Sequence, residues 1–214
     1  MHVVNPVCLT PRGALDETAL RIADVETISI KAPTIRAHKL SNTEIHHKAI
    51  ILTRITLENG VTGYGEGSSL GGPRWAEESP ESIRACIDTY LAPVLLNQPA
   101  NRFEALALAM ARAASRNTAA KAAVESALYD AVGKSLDMPA AQLLGGRIHD
   151  GFEIIWALAS GDVDQEIEEA RAKLAAREHR RFKVKIGLSE PKAEIARLGR
   201  LVDALPDCEI IVDV

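Results

Sequence analysis

Apolar and polar residues alternate over residues 25–30, Val25-Glu26-Thr27-Ile28-Ser29-Ile30. This period of two predicts a half-buried strand, which Pro33 is expected to end. A polar loop, residues 36–42, follows and carries His38 and Lys39. Residues 49–57 are rich in β-branched side chains and predict a second strand. Asn59-Gly60 is the strongest short hairpin signal, with both turn positions expected at positive φ, and residues 61–66 form the return strand. Gly63, Gly65 and Gly67 occupy alternate positions there. One face of that strand is therefore bare, which calls for a close neighbour or a bulge. Upstream, residues 1–23 show no clear period, include Pro6, Pro11 and Gly13, and read as a flexible leader.

The pattern then becomes helical. Ser79-Pro80-Glu81 combines an N-cap serine, a proline at the first helical position and an acid in the first turn, so a helix is expected to about residue 96. A second covers about 103–115, and a third begins near 117–118. In the third, Ala120, Ala123, Val124, Ala127, Leu128, Ala131 and Val132 make one continuous stripe. Glu125 and Asp130 lie off it and read as solvated. A short helical turn over 139–144 stops at Gly145-Gly146. The loop of residues 68–78, with Gly71, Gly72 and Trp75, suits either a lid over a small ligand or a plain surface loop.

Near residue 150 the order of elements changes. Strand 152–158, helix 164–177, strand 181–186, helix 191–205 and strand 209–214 alternate, the signature of a parallel sheet. Three domains follow: the leader 1–23, an α+β domain over 24–150, and a β/α unit over 151–214. The β/α unit ends on a strand, so the chain is expected to stop inside a larger sheet or barrel.

The 214 residues are 47% hydrophobic and 25% charged, and the net charge is −4. That balance argues against a general nucleic-acid binder, which would need a basic surface. No apolar run reaches membrane-spanning length. Cys8, Cys86 and Cys208 lack metal-like spacing and suggest reduced thiols in a cytoplasmic protein.

Candidate chemistry concentrates in Arg181-Phe182-Lys183-Val184-Lys185-Ile186-Gly187. On a strand Lys183 and Lys185 share one face, roughly 6.5–7 Å apart, while Phe182, Val184 and Ile186 share the other. Two ammonium groups that close disfavour each other's charge, as a lysine used in proton transfer requires. A solvated edge strand is the plainer alternative. Glu209-Ile210-Ile211-Val212-Asp213-Val214 reads as a buried strand with a carboxylate near its carboxyl end. Parallel pairing would bring Asp213 beside the lysines, either as a hard-metal ligand or as an ordinary ion-pair partner.

Several runs together resemble the muconate-lactonizing subgroup of the enolase superfamily. They are Pro33-Thr34-Ile35-Arg36-Ala37-His38-Lys39-Leu40, Gly65-Glu66-Gly67 with Leu70-Gly71-Gly72, Ala123-Val124-Glu125-Ser126-Ala127-Leu128-Tyr129-Asp130, and Leu143-Leu144-Gly145-Gly146. Further on come Trp156-Ala157-Leu158-Ala159-Ser160-Gly161-Asp162, the Lys183-Val184-Lys185 pair and Val212-Asp213. The resemblance runs from about residue 25 to 214.

It implies an α+β capping domain followed by the first strands and helices of a modified (β/α) TIM-type barrel. It further implies that Lys185 exchanges a proton at the carbon α to a carboxylate, with Lys183 assisting electrostatically. Asp213 would be the first of three acidic ligands for Mn²⁺ or Mg²⁺. His38, Leu70 and Trp75, in the capping loops, would contact the substrate. The implied reaction interconverts cis,cis-muconate and muconolactone, in the β-ketoadipate route of aromatic catabolism. The partner is then a small dicarboxylate, with neither nucleic acid nor membrane involved, and a homo-oligomer is expected at full length. The remaining ligands would lie beyond Val214, so the 214-residue chain is expected to be a portion of the enzyme and inactive by itself. Trp75 stands where the subgroup commonly has tyrosine, and Pro73-Arg74 is an addition, which keeps chloromuconates open as substrates. Other readings are a dipeptide epimerase, an N-acylamino acid racemase, an o-succinylbenzoate synthase, or a non-catalytic assembly fragment.

Overall fold

Strand β1 (Ile22–Lys39) pairs antiparallel with β2 (Glu44–Leu57), and β2 with β3 (Thr62–Ser68), in the order β1-β2-β3. The structure, a computed structural model, describes residues 16–39, 44–70, 72–74, 76–187 and 189–213. It divides into two units, the first ending at Arg147 and the second covering Ile148–Val214. That boundary lies three residues before the one expected from the change in element order.

β1 does not stop at Pro33. Pro33 sits opposite His47, and after a register shift His38 sits opposite Ile45. The expected loop at 36–42 is therefore strand as far as Lys39, and β2 starts at Glu44. Proline is tolerated because β1 is an edge strand, where a missing N–H costs no ladder bond on the outer side.

The turn after β2 also differs from expectation. Gly60 has φ +81°, but Asn59 is not among the residues at positive φ. The Gly60 N–H donates to the Leu57 carbonyl at 2.8 Å, and the Val61 N–H donates to Asn59 Oδ1 at 3.0 Å. This is a three-residue loop ending in a left-handed glycine, the next commonest hairpin solution.

Residues 16–23 belong to the fold. Leu20 and Ile22 are fully buried. The Asn97 N–H donates to the Ile22 carbonyl at 2.8 Å, and the Ala100 N–H to the Leu20 carbonyl at 2.9 Å. The hairpin turn joins in, with the Glu58 N–H on the Arg21 carbonyl and the Asn59 N–H on the Ala19 carbonyl. The flexible leader expected over 1–23 is thus too long. Two buried side chains flanking one arginine are too short a run to show a period. The rest of the leader, residues 1–15, lies outside the described residues.

Helix α1 (Pro80–Cys86) has the expected N-cap. Ser82 N–H donates to Ser79 Oγ, and the Ser79 N–H donates to Ser82 Oγ at 2.9 Å. It runs through a π-helical turn (Ile87–Leu91) into α2 (Ala92–Leu95). Then come α3 (Phe103–Ala113), α4 (Thr118–Ser135) and the short α5 (Ala140–Leu143).

α4 lies on the bare face of β3. A Cβ on Gly63 would come 2.2 Å from the Ala127 carbonyl oxygen, and one on Gly65 only 1.9 Å from that of Ala123. The glycines thus allow backbone-to-backbone packing, and the alanine stripe is the matching surface. The predicted stripe residues Ala120 to Val132 are all buried. Burying each of Val124, Leu128 and Val132 contributes about 1.5–3 kcal/mol. Asp130 is not simply solvated, because the Tyr64 N–H on the outer edge of β3 donates to its Oδ2 at 2.8 Å. Lys134, one turn on, donates to the same oxygen.

The second unit is β4 (Ile155–Leu158), α6 (Val163–Ala175), β5 (Arg181–Lys185), α7 (Pro191–Ala204) and β6 (Glu209–Asp213). The sheet is parallel, in the order β4-β5-β6. Leu158, Phe182, Val184, Ala170, Leu201 and Leu205 form its core. β4 starts at Ile155 rather than 152, but the order of elements is the one the sequence predicts.

Candidate active site

β5 alternates as its sequence requires. Phe182 and Val184 are fully buried, and Arg181, Lys183 and Lys185 take the other face. The register sets Lys183 opposite Ala157 on β4 and Ile211 on β6, and Lys185 opposite Asp213. The ion pair is nonetheless diagonal, with Lys183 Nζ 3.1 Å from Asp213 Oδ2. Both side chains are about two-fifths exposed. An exposed pair of this kind is worth at most about 1 kcal/mol, so its importance is geometric rather than stabilising. Among the described residues the Lys185 ammonium has no partner, while Asp213 neutralises its neighbour. One neutralised lysine and one free lysine thus share a rim at the carboxyl ends of parallel strands, where α/β folds place their reactive groups.

Beneath this rim lies a charged network that reasoning from the sequence missed. Glu166 of α6 is fully buried, and its carboxylate receives Arg197 Nε at 3.1 Å and Nη2 at 3.2 Å. The same Nη2 donates to the Lys185 carbonyl at 3.2 Å. The Gly161 N–H, in the turn after β4, donates to Glu166 Oε1 at 3.1 Å. Glu194, three residues before Arg197 on α7, accepts the N–H groups of Gly187 at 2.7 Å and Ser189 at 2.9 Å. A signal did exist. Glu166 falls on the same face as Val163, Ile167 and Ala170, and Glu194 and Arg197 precede Leu198 and Leu201 by four, so charges interrupt two apolar stripes.

The capping residues are less fully placed. Leu70 is half-buried in the turn after β3. It is followed by a single 3₁₀ turn (Gly72–Arg74). The backbone of His38 is within β1, while its side chain, and Trp75 altogether, lie outside the described residues. At the end of this loop Glu78 is buried. It accepts the N–H groups of Ala119 at 2.8 Å and Ala120 at 3.2 Å, and so caps α4. Asn117, the residue in the N-cap position, is left-handed at φ 48° and makes no cap of its own.

Asp213 is a hard oxygen donor, suited in kind to Mg²⁺ or Mn²⁺. In number the fit is incomplete. Among the described residues no three His, Cys, Asp or Glu side chains come together as a metal cluster. Asp213 can therefore serve as one ligand of a set, not as a site in itself. Among the described residues no helix is long and apolar enough to cross a membrane.

A sheet-and-helix α+β unit, followed by a parallel β/α unit with a lysine pair and a carboxylate at its strand ends, defines the class. Residues 23–145 match the family described as "Mandelate racemase / muconate lactonizing enzyme, N-terminal domain". The chain belongs to that family, within the enolase superfamily, as its motifs led one to expect. Among similar proteins, "Muconate cycloisomerase 1-2" of Acinetobacter lwoffii is 41% identical over 92% of this chain and 51% of its own length. The chloromuconate cycloisomerase of Delftia acidovorans is 37% identical over 91% of this chain and 53% of its own. Among solved structures, the muconate lactonizing enzyme of Pseudomonas fluorescens complexed with muconolactone superimposes with a TM-score of 0.86 at 40% identity. That match covers 92% of this chain and 53% of the other. The chain spans about half the length of the curated relatives it matches.

Proposed function

We propose that the protein interconverts cis,cis-muconate and muconolactone, as an intramolecular lyase of aromatic catabolism. The observation that carries this reading is the rim itself: Lys183 held 3.1 Å from Asp213, with Lys185 on the same strand face. The relatives named muconate cycloisomerase, at 40–41% identity, supply the substrate class. In this reading β4, β5 and β6 are the opening strands of a modified TIM-type barrel, and the first unit is its cap.

Lys185 carries the proton. In the lactonizing direction one substrate carboxylate oxygen bonds to the far alkene carbon, and the electron pair moves towards the other carboxylate as an enolate. The Lys185 ammonium then gives its proton to the carbon α to that carboxylate, and in reverse the amine removes it. Lys183 adds positive charge beside the developing anion and is itself held in place by Asp213. Asp213 would be one ligand of a bound Mn²⁺ or Mg²⁺, whose positive charge would add to that of Lys183. Pairing a lysine base with such a metal is the general pattern of the enolase superfamily, not a deduction from this chain alone. His38, Leu70 and Trp75 are proposed to contact the substrate from the cap. The cytoplasm is proposed as the location, consistent with the free thiols of Cys86 and Cys208, and the full protein is proposed to be a homo-oligomer.

The test is to supply the full protein with Mn²⁺ and cis,cis-muconate and follow the diene absorbance. Steady loss of absorbance with formation of muconolactone is expected, and no loss would sink the proposal. A chloromuconate preference is the second reading, because relatives at 37% identity carry that name and Trp75 with Pro73-Arg74 alters a capping loop. Comparing kcat/KM for muconate and 2-chloromuconate decides between them.

A further inference from the structure

The geometry points to Arg197 as a positioning residue for the proton-carrying lysine, in a clamp completed by Glu166 and Glu194. The inference rests on the role proposed above for Lys185. Lys185 is the last residue of β5, where a strand usually has no neighbour beyond it to hold it. Here its carbonyl accepts Arg197 Nη2 at 3.2 Å, from the side of the sheet where the helices pack. The next N–H, that of Ile186, donates to the Asp213 carbonyl at 2.9 Å. The one after that is tied as well, since Gly187 donates to Glu194. The backbone that presents Lys185 and the carboxylate opposite it are thus fixed together from behind.

Arg197 is itself fixed. Its guanidinium is bidentate on Glu166, a carboxylate with no solvent exposure, and Glu166 also receives the Gly161 N–H. The turn after β4 and the end of β5 are therefore joined through one ion pair. A buried charge pair of this kind is a poor source of stability compared with apolar packing, but it defines one geometry. Lysine at 197 could not reproduce it fully, because a single ammonium lacks the planar fork that reaches Glu166 twice and Lys185 once. Arg197 and Glu166 belong to the helices that pack on the Phe182 and Val184 face, opposite the face that carries Lys183 and Lys185. The clamp therefore acts on placement, not on chemistry.

The experiment is a kinetic comparison in the full Mn²⁺-loaded protein. Arg197→Met leaves Glu166 buried and unpaired, so Glu166→Gln/Arg197→Met is made beside it as a variant that keeps an acceptor for Gly161 without an orphaned charge. In the double variant kcat for muconate is expected to fall about tenfold or more, with KM changed less than about twofold, as a small misplacement of a reacting group produces. Arg197→Lys is expected to recover part of kcat. Unchanged kcat in the double variant would overturn the inference. If the unsubstituted protein does not turn over muconate, the functional proposal fails, and backbone amide exchange then decides the clamp. Faster exchange at Ile186 in the double variant than in Arg197→Lys upholds it; equal exchange in the unsubstituted protein and both variants overturns it.

Discussion

Gly65 and Ala123 are in backbone contact: a Cβ on the glycine would come 1.9 Å from the Ala123 carbonyl oxygen. The face of β3 that is bare of side chains and the alanine face of α4 are two halves of one packing solution. No side chain stands between sheet and helix at that point, so nothing can rotate away to admit a methyl group.

Gly65→Ala should therefore destabilise the first unit by about 3 kcal/mol or more, at or beyond the upper end of overpacking costs. Gly60→Ala makes the comparison informative. Nothing lies within 4 Å of a Cβ there, but φ is +81°, so the cost should be the left-handed strain alone, about 1–2 kcal/mol. Urea unfolding of both variants, with equal m-values, checks the difference.

Glu78 caps α4 from some forty residues upstream. Glu78→Ala removes a charged acceptor for two N–H groups at the start of α4, that of Ala120 buried, and should cost about 1.5–3 kcal/mol. Glu78→Gln keeps an acceptor oxygen and should cost less than half of that. Thermal unfolding followed by circular dichroism measures both, and equal losses would mean that the charge alone matters.

Lys185→Met should lower kcat for muconate by about 10²–10⁴-fold, the usual worth of a positioned acid–base group. Because the side chain is half-exposed, stability should change by no more than about 0.5 kcal/mol. Asp213→Asn should leave stability within about 1 kcal/mol as well, since the pair it breaks is exposed. Its effect should appear as weaker Mn²⁺ binding by calorimetry in the full protein.

The Cys86 thiol is pushed up from the ordinary thiol range, first by burial and then by the charge of Glu78. It should resist iodoacetamide at pH 8 while the protein is folded and react on unfolding. The sign follows from a folded-state value above the unfolded one. The contribution to stability is complete at neutral pH and is lost as pH rises above about 8.5. Cys86→Ala should therefore flatten the alkaline limb of a stability–pH profile, measured by urea unfolding.

Much of the fold could be read directly from the chain. The period-two runs, the Ser79-Pro80 start, the alanine stripe and the β/α alternation each report a local rule: which side of an element faces the core, or where a backbone turn can begin. The Lys183–Lys185 pairing on one face is of the same kind, because alternation along a strand is a property of the backbone alone. What escaped was set by partners distant in sequence. β1 passes Pro33 because it is an edge strand, and edge position is a fact about the sheet. Residues 16–23 are ordered because residues 97–100 and the turn at 58–59 bind them. Asp130 and Glu78 look like surface acids until Tyr64 and the start of α4 are brought to them. The site divides in the same way. The lysines and Asp213 could be named from strand pattern and motif, but only the packed side chains show that Asp213 pairs diagonally with Lys183 and not with Lys185, its opposite in the register. Only the packing of α6 and α7 on the sheet turns three interruptions in apolar stripes into a clamp on Lys185. Local sequence dictates direction and periodicity, since both arise within a few residues. Tertiary structure decides which polar groups meet, because a buried hydrogen bond needs two partners and the chain holds only one of them at any given place.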